Sequence, residues 1–532
     1  MVRRVQMPGV RKMLLNTALL TAAAFLMRSV GMAFQVYLSK IIGPAGIGLY
    51  SLVMSVSALA ATVALSGIRF TATRLVAMEL GRGSRNGVSA AIRRCLLYAL
   101  TCGVFAASAL WLGADTIGTR WIGDARTVMP LRILALSLPA FSLTAVLSGY
   151  FTAVGRVIKP TIAQVIEQTI RIAAAALALT VYRGGDLGVS CSIIVAGGVV
   201  GEIASFFLHL ALYLRERRGV TRERDGAGSG DGRASMTRRM FATAVPLAFS
   251  AYARVALSTA QNLLIPRGLR KYGASPEAAL ADYGMVQGMV FPVITFPSAI
   301  FYSLAELLVP ELTQAQIRGD DARISSLVNN TLRFAMLFSL CAAAVLFRFS
   351  GEFGQSLYDS ADAGHFIRAL APLVPIMYLD SVTDGMLRGL GQQMHSMRYN
   401  VLDSLISIAL AYYLLPLHAV RGYVFIIYFT ELFNFALSIR RLAKVSRLRV
   451  KAADTLKSAF CALGSIDVAI FVLRLCGMPL AARGANVAAH ITLSAAVYAA
   501  LLFALGSLTR GDAARFRGLL FGAKRRTRPQ RS

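Results

Sequence analysis

The stretch LRILALSLPAFSLTAVLSGYFTAVGR, residues 131–156, aligns without gaps to IRALAPLVPIMYLDSVTDGMLRGLGQ, residues 367–392. The alignment continues at the same offset, and with a short gap it extends from GEIASFF to TELFNF. Matched charged residues, proline and glycine in one register are not a by-product of apolar composition, so the chain contains an internal repeat. The matched pairs are Arg132/Arg368, Pro139/Pro375, Gly149/Gly385, Gly155/Gly391, Gln164/Asn400, Glu167/Asp403 and Glu202/Glu431.

The repeat lies in a chain with the composition of a membrane protein. Of its 532 residues, 56% are hydrophobic and only 15% are charged, against about 25% charged in a soluble domain. Apolar runs of about 20 residues, the length of a membrane-spanning helix, recur along the chain. We therefore predict an all-α membrane protein with about fourteen transmembrane helices, centred near residues 26, 57, 101, 141, 172, 201, 252, 295, 339, 378, 409, 433, 467 and 498.

The spacing of the repeat predicts how these helices are organised. The two copies lie six spans apart, and an even number of spans preserves orientation, which indicates parallel repeats about an axis along the membrane normal. The sequence thus predicts two six-helix lobes followed by two additional helices. The predicted boundaries are an N-terminal lobe at 1–214, a basic cytoplasmic linker at 215–239, a C-terminal lobe at 240–446, and two helices with a basic tail at 447–532.

The net charge of +30 is spread over the connections between apolar runs. Alternate connections are strongly basic, as the positive-inside rule requires, so both termini are predicted to be cytoplasmic in a multi-pass plasma-membrane protein. This distribution argues against nucleic acid as a partner. The six cysteines form no CxxC pair and the histidines lack ligand spacing, so no metal is expected. Motifs for phosphate loops, dinucleotides and hydrolases are absent from the sequence, which predicts neither an enzyme nor a cofactor.

Several charged side chains fall inside the apolar runs, where a charge costs several kcal/mol unless it finds a partner or water. Arg28 lies deep in the first run, within FLMRSVGMAF (25–34), and Gln35 follows two helical turns later. Arg254 lies in the seventh. Two interpretations of Arg28 remain open here, a cavity residue and a structural ion pair. We interpret Arg28, Arg254 and Gln35 as candidate substrate-binding residues.

Acidic residues in the spans form a second candidate set. Glu306 lies in the eighth helix, and Asp380 and Asp384 lie four residues apart in the tenth. They have either an ion-coupling or a structural role. Glu167 and Arg171, also four apart, can pair on one helical face. Prolines at 292 and 297 in the eighth helix, and at 372 and 375 in the tenth, predict bends that suit a cleft opening to either side.

Several motifs resemble those of one transporter family. IIGPAGIGLYSLVMSVSALAATVALSGI, MVQGMVFPVITFPSAIFYSLAELLVPELTQA and GMLRGLGQQMHSMRYNVLDSLISIALAYYLLP resemble, in order, segments of the stage V sporulation protein B group of polysaccharide biosynthesis proteins. This group belongs to the multidrug/oligosaccharidyl-lipid/polysaccharide exporter superfamily. The RSVG at Arg28 resembles the first-helix motif of the same group and of the related lipid II flippases. Their second arginine, six residues later, is Phe34 here.

The resemblance implies a flippase that works without ATP on an undecaprenyl-pyrophosphate-linked saccharide, for peptidoglycan, spore cortex or polysaccharide synthesis. It implies membrane lipids and cell-wall synthesis proteins as further partners. Two alternatives remain at this point. One is a cation-coupled multidrug antiporter of the same superfamily, which would use acidic residues such as Asp380, Asp384 and Glu306. The other is a membrane scaffold for cell-wall synthesis that transports nothing.

Overall fold

The computed structural model describes residues 10–83, 85–156, 158–182, 184–220, 233–446, 452–475 and 484–505. Over these ranges the chain is helical, with no strand. The middle of the predicted basic linker and the basic tail after residue 505 lie outside the described residues. The helices are α1 Val10–Leu65, α2 Ile68–Gly81, α3 Arg85–Thr116, α4 Val128–Ala135, α5 Leu138–Ala153, α6 Ile158–Val181, α7 Leu187–Val220, α8 Arg233–Lys271, α9 Pro276–Tyr283, α10 Phe291–Thr295, α11 Ala299–Ile317, α12 Asp321–Arg348, α13 Ser350–Tyr358, α14 Ala361–Leu370, α15 Val374–Gly389, α16 Gln393–Val445, α17 Ala452–Leu475 and α18 Gly484–Ala504.

Many of these helices can cross a membrane, which confirms the predicted class. Within the described ranges, 11 helical stretches are long and apolar enough, or 12 if the bent pair at Ala125–Ala135 and Leu138–Ala153 is one span. Two stretches, Ala23–Gly81 and Gln393–Val445, contain 59 and 53 residues. Each is interrupted by a non-helical residue, Gly43 or Ala419. Since a span needs about 20 residues, each has room for two. All the predicted centres lie in these stretches, and the count of fourteen remains a prediction.

The chain divides into two compact units. The N-terminal unit comprises Ile41–Gly284 with Ala411–Ala419, and the C-terminal unit comprises Met285–Leu410 and Val420–Ser532 together with Met1–Lys40. The first part of α1 therefore packs in the C-terminal unit, and α8 packs in the N-terminal unit. The predicted lobes are a different division of the chain, drawn from the sequence repeat, and their boundaries remain a prediction.

The backbone repeats at the offset that the sequence alignment gave. Helices α5 and α15 each contain 16 residues and begin and end at matched positions. Beyond both helices a glycine with positive φ, Gly155 or Gly391, turns the chain. Before them, Gly123 and Asp359 occupy matched positions with φ of 79° and 51°. The repeat is therefore a repeat of structure over α5 and α15 and over the glycine turns that follow them.

Small residues allow close packing of α6 against α7 in the N-terminal unit. Gly197 and Gly201 lie four residues apart on α7, the spacing at which small residues let two membrane helices approach. A Cβ at Gly197 would lie 2.8 Å from the backbone nitrogen of Ala175, and one at Gly201 would lie 3.0 Å from the carbonyl oxygen of Glu167. This approach positions Glu167 and Arg171 of α6 beside α7.

Buried apolar side chains join the other helices within each unit. In the N-terminal unit, α2, α3, α5 and α8 share a cluster that includes Ile68, Cys95, Val146 and Met240. In the C-terminal unit, α12 packs on the two last helices through Val345, Ile466, Tyr498 and neighbouring side chains. Side-chain caps begin several helices. Ser275 accepts a bond from the backbone N–H of Ala278 before α9, and Asp320 does the same before α12.

Candidate functional site

The chain between Gly284 and Ser298, here named the broken segment, does not form one regular helix. It passes from a π-helical turn, Gly284–Val290, through the short helix α10 to a 3-10 turn, Phe296–Ser298. Pro292 and Pro297 lie within it, so the eighth helix is interrupted where these prolines predicted, and the bend itself stays a prediction. Each proline lacks the N–H that a helix requires, and each change of helical register leaves carbonyl groups without their usual donors.

Side chains from three helices donate to carbonyls of the broken segment. Two donors come from α1, one from α13 and one from α15, and all of them belong to the C-terminal unit. In a bilayer such carbonyls need protein partners because no water is present to satisfy them. The bonds are Gln35 Nε2 to Gly288 O at 2.7 Å, Tyr358 Oη to Met289 O at 2.8 Å, Tyr378 Oη to Ile294 O at 2.5 Å, and Arg28 Nη2 to Thr295 O at 2.8 Å.

Arg28 is half-buried on α1 at one end of this row of carbonyls. Tyr378 lies within electrostatic reach of its guanidinium. One turn earlier on α1, the Phe25 ring lies 5.6 Å from that of Phe296, measured between centroids. A hydrogen bond to a carbonyl orients a guanidinium and leaves its charge in place, and the guanidinium has five N–H donors in total. Arg28 is therefore held in direction while it remains a cation.

Gln35 and Arg254 have different surroundings. Gln35, two turns after Arg28, is half-buried and uses its amide nitrogen on the broken segment. Arg254 lies on α8 in the N-terminal unit, and its side chain is exposed. Within a span, an arginine avoids lipid and faces the bundle interior or a water-filled cavity. The C-terminal unit thus brings Arg28 and Gln35 together, and Arg254 belongs to the other unit.

Asp380 is deeply buried in α15, with only 9% of its surface exposed. Its Oδ2 accepts a bond from Asn434 Nδ2 at 3.0 Å. Asp380 Oδ1 and Asn434 Oδ1 are buried without a hydrogen-bond partner among the described residues. A buried carboxylate oxygen without a donor is costly unless a proton or a cation binds it.

Three further carboxylates lie within electrostatic reach of Asp380, namely Glu431, Asp384 and Asp403. Asp384 accepts a bond from Ser396 Oγ at 2.6 Å. The Glu306 side chain lies outside the described residues. Among the residues described, no group of three or more His, Cys, Asp or Glu side chains has the geometry to hold a metal ion. The buried acids of the C-terminal unit are therefore neighbours without forming a compact ligand cage.

The repeat shows that these acids are particular to one copy. Asp380 corresponds to Thr144, and Asp384 corresponds to Ser148. In the N-terminal copy, Arg171 Nη2 pairs with Glu167 Oε1 at 2.5 Å, as the spacing predicted. The corresponding C-terminal residues are Ser407, which is fully buried, and Asp403. The C-terminal copy has thus gained two carboxylates and lost the arginine.

Sequence reasoning missed the tyrosines and Asn434. Tyr358, Tyr378 and Asn434 look like ordinary residues of apolar helices, and they act on partners far away along the chain. One signal was available. A proline inside a span leaves a carbonyl without its backbone donor, and another helix must supply one. The prolines of the eighth helix therefore indicated that donor side chains were needed, but not which residues provide them.

The chain is similar in sequence to proteins of known family. The family model for polysaccharide biosynthesis proteins matches residues 13–316, and the MatE model matches residues 272–413. Stage V sporulation protein B of Bacillus subtilis (strain 168) is 23% identical over 491 residues, which is 92% of this chain and 94% of that protein. Lipid II flippase MurJ of the same organism is 21% identical over 77% of this chain and 79% of its own.

Two solved structures have the same fold. The inward closed conformation of lipid II flippase MurJ has a TM-score of 0.56 at 12% identity, and it covers 92% of this chain and 98% of its own. An inward-facing multidrug resistance MATE family transporter of the MOP superfamily has a TM-score of 0.60 at 13% identity, over 81% of this chain and 100% of its own. Since the family model covers more than half of its length, this chain belongs to the polysaccharide biosynthesis protein family, in agreement with its sequence motifs.

Proposed function

We propose that this protein is a flippase that moves undecaprenyl-pyrophosphate-linked saccharides, such as lipid II-like precursors, across the plasma membrane by alternating access. The observation that supports it most is Arg28, a cation inside an apolar span whose guanidinium is directed by the Thr295 carbonyl. A planar guanidinium suits phosphate because it forms paired bonds and stays charged at all physiological pH values. Two relatives named for lipid II flipping and sporulation support the same assignment.

The proposed roles follow from charge and exposure. Arg28 binds the pyrophosphate of the head group, and Arg254, exposed on α8 of the other unit, is a further candidate substrate-binding residue. The polyprenyl tail stays in the lipid while the saccharide crosses. Both termini lie in the cytoplasm, where the positive-inside rule places the basic linker and tail. The product serves peptidoglycan, spore cortex or polysaccharide synthesis.

The membrane potential supplies enough energy for this step. An inside-negative potential favours outward movement of an anion by about 2.3 kcal/mol per charge per 100 mV. A pyrophosphate that carries two charges across the whole field therefore gains roughly 4–5 kcal/mol at 100 mV. This is sufficient to bias the distribution of the lipid between leaflets roughly a thousand-fold without ATP, by the usual tenfold per 1.4 kcal/mol.

A reconstituted assay tests the proposal. Purified protein in vesicles with an imposed potential is given a fluorescent lipid-linked pyrophosphate saccharide, and its appearance in the opposite leaflet is followed by a quencher. We expect Arg28→Ala to reduce the rate strongly and Arg318→Ala, an exposed arginine at the end of α11, to leave it unchanged. A rate that is no faster than in protein-free vesicles, or that is insensitive to Arg28→Ala, would contradict the proposal.

We also propose ion coupling through Asp380 as a second candidate function, either for the flippase or for a multidrug antiporter. The buried Oδ1 of Asp380 without a donor supports it, as does the MatE match over residues 272–413. Export of a cationic dye from vesicles under an imposed proton or sodium gradient tests it. We expect Asp380→Asn to abolish gradient dependence. Dye export that is undetectable in the wild type, with potential-driven flipping insensitive to Asp380→Asn, would remove the candidate.

A further inference from the structure

Gln35 occupies the place of a missing backbone donor. In an α-helix the N–H of residue 292 would bond the carbonyl of residue 288, four positions earlier, but Pro292 has no N–H. The amide nitrogen of Gln35 lies 2.7 Å from the oxygen of Gly288 and donates to it. A side chain of α1 therefore completes the hydrogen bonding of the broken segment at the point where proline interrupts it.

Arg28 likewise donates to a carbonyl that lacks its usual backbone donor, seven residues further along the broken segment. In the 3-10 turn, the N–H of Ala299 bonds Phe296 O instead of Thr295 O, its partner in an α-helix. Thr295 O accepts from Arg28 Nη2 at 2.8 Å and from Ser298 Oγ at 2.7 Å. Arg28 and Gln35 are seven residues apart, so they project from one face of α1. One helix face thus holds the broken segment at two points.

The two points differ in what can compete for them. The Gln35 amide is neutral, so a phosphate would form with it a hydrogen bond in which only the acceptor is ionised. Arg28 is a cation, and its planar guanidinium can form paired hydrogen bonds with a phosphate in which both partners are ionised. A phosphate that binds Arg28 in this paired mode through Nη2 therefore competes with the Thr295 carbonyl, whereas Gln35 gains less by leaving Gly288 O.

We propose that Gln35 and Arg28 form a two-point latch between α1 and the broken segment, in which Gln35 is the permanent point and Arg28 exchanges the Thr295 carbonyl for the pyrophosphate of the substrate. Gln35 is then a positioning residue, where the sequence suggested a substrate ligand. Substrate binding itself loosens the segment around Pro297 and so couples recognition to the bending of this helix. The Arg28 half of the latch rests on the proposed function; the Gln35 half does not.

A rescue experiment tests the Gln35 point. If Gln35 replaces the N–H that Pro292 lacks, Gln35→Ala lowers the unfolding midpoint of the full chain in detergent and slows flipping several-fold. Adding Pro292→Ala to it returns a backbone donor to Gly288 O and restores both measurements. Pro292→Ala alone gives the fold control. If the double variant remains as defective in flipping as Gln35→Ala while its midpoint recovers, Gln35 contacts substrate, and the positioning role is wrong.

Hydrogen exchange tests the Arg28 point in the unmodified chain. Farnesyl pyrophosphate is the probe, because it carries the charged group and an isoprenyl tail without the saccharide, and farnesol is the uncharged control. In the wild type we expect the pyrophosphate, and not the alcohol, to speed amide exchange several-fold in peptides covering residues 291–301. Arg28→Ala should show fast exchange without ligand. Arg28→Gln, which has no charge, should not respond to the pyrophosphate.

The flipping and exchange results together distinguish a failure of the latch from a failure of the proposed function. A pyrophosphate response in the exchange data together with no flipping of lipid-linked saccharides would keep the latch and overturn the proposed function. Flipping that depends on Arg28, with exchange over residues 291–301 that is unchanged or slowed by the pyrophosphate, would keep the function and overturn the latch. An equal response in Arg28→Gln would also overturn it, because the exchange would not depend on charge.

Discussion

Replacing Gly197 of α7 with alanine should weaken the packing of α6 against α7, whereas the same change at the next residue, Gly198, should not. A Cβ at Gly197 would lie 2.8, 2.9 and 3.0 Å from the backbone nitrogen, Cβ and Cα of Ala175. Ordinary contacts of a Cβ fall between 3.4 and 4 Å. A Cβ at Gly198 would have no heavy atom within 4 Å. The two positions therefore differ in the contacts of an added Cβ, although they are adjacent on one helix and lie at nearly the same depth in the bilayer.

The expected change in the free energy of unfolding follows from two opposing effects. Glycine to alanine in a helix interior favours the folded state by about 1 kcal/mol, and this gain is common to both positions. Overpacking costs typically about 1–3 kcal/mol because side chains and backbone must shift. We therefore expect Gly198→Ala to raise the free energy of unfolding slightly. Gly197→Ala should lie about 1–3 kcal/mol below Gly198→Ala.

Equilibrium unfolding of the purified full chain in mixed micelles, with rising dodecyl sulfate fraction and helix content as the signal, measures this difference. Wild type and both variants are compared at one protein concentration. If the two variants have the same free energy of unfolding within about 0.5 kcal/mol, the usual scatter for surface changes, the close approach of α7 to Ala175 is not a stabilising contact. The reasoning about this helix pair would then be refuted.

Of two further predictions, one uses the same unfolding measurement and the other uses the yield of purified protein. The Glu216 side chain is 5% exposed and forms ion pairs with Arg156 at 2.9 Å and Lys159 at 2.6 Å. Glu216→Gln should therefore lower the free energy of unfolding by about 1–3 kcal/mol. Glu311 belongs to an exposed pair, so Glu311→Gln should lower it by less than about 1 kcal/mol, and equal losses in the two variants would contradict this prediction. Gly284→Ala would place a Cβ 2.1 Å from the carbonyl oxygen of Pro44, so it should greatly reduce the yield of monodisperse protein, and a normal yield would contradict the contact.

The sequence predicted the local features of this fold well. Apolar runs gave the membrane class, the prolines at 292 and 297 gave the broken segment, and the spacing of Glu167 and Arg171 gave their ion pair. Each of these signals lies within one or two helical turns, where side-chain directions follow from helix geometry. The repeat extended this reach, because one alignment paired Gly155 with Gly391, and in the structure both glycines turn the chain after matched helices.

The contacts of the candidate site were beyond this reasoning. Arg28 was expected to face either a cavity or a carboxylate, and its guanidinium is directed by a backbone carbonyl 267 positions further along the chain. Gln35 reaches a carbonyl 253 positions away. Helical periodicity fixes which face of α1 carries both residues, but it holds no information on which neighbouring helix has lost its own backbone donors. That depends on packing.

The comparison of the two copies supports a functional role for the acids of the C-terminal unit. The N-terminal copy forms the same helix, with the same length and the same glycine turn after it, using Thr144 and Ser148 where the other copy has Asp380 and Asp384. The backbone of the repeat therefore does not need these carboxylates. A buried acid without a full set of donors is destabilising, so its presence in one copy alone is difficult to attribute to folding. Arg171, which pairs with Glu167 in the N-terminal copy, is matched by Ser407, so the matched Asp403 has no arginine at this position to neutralise it.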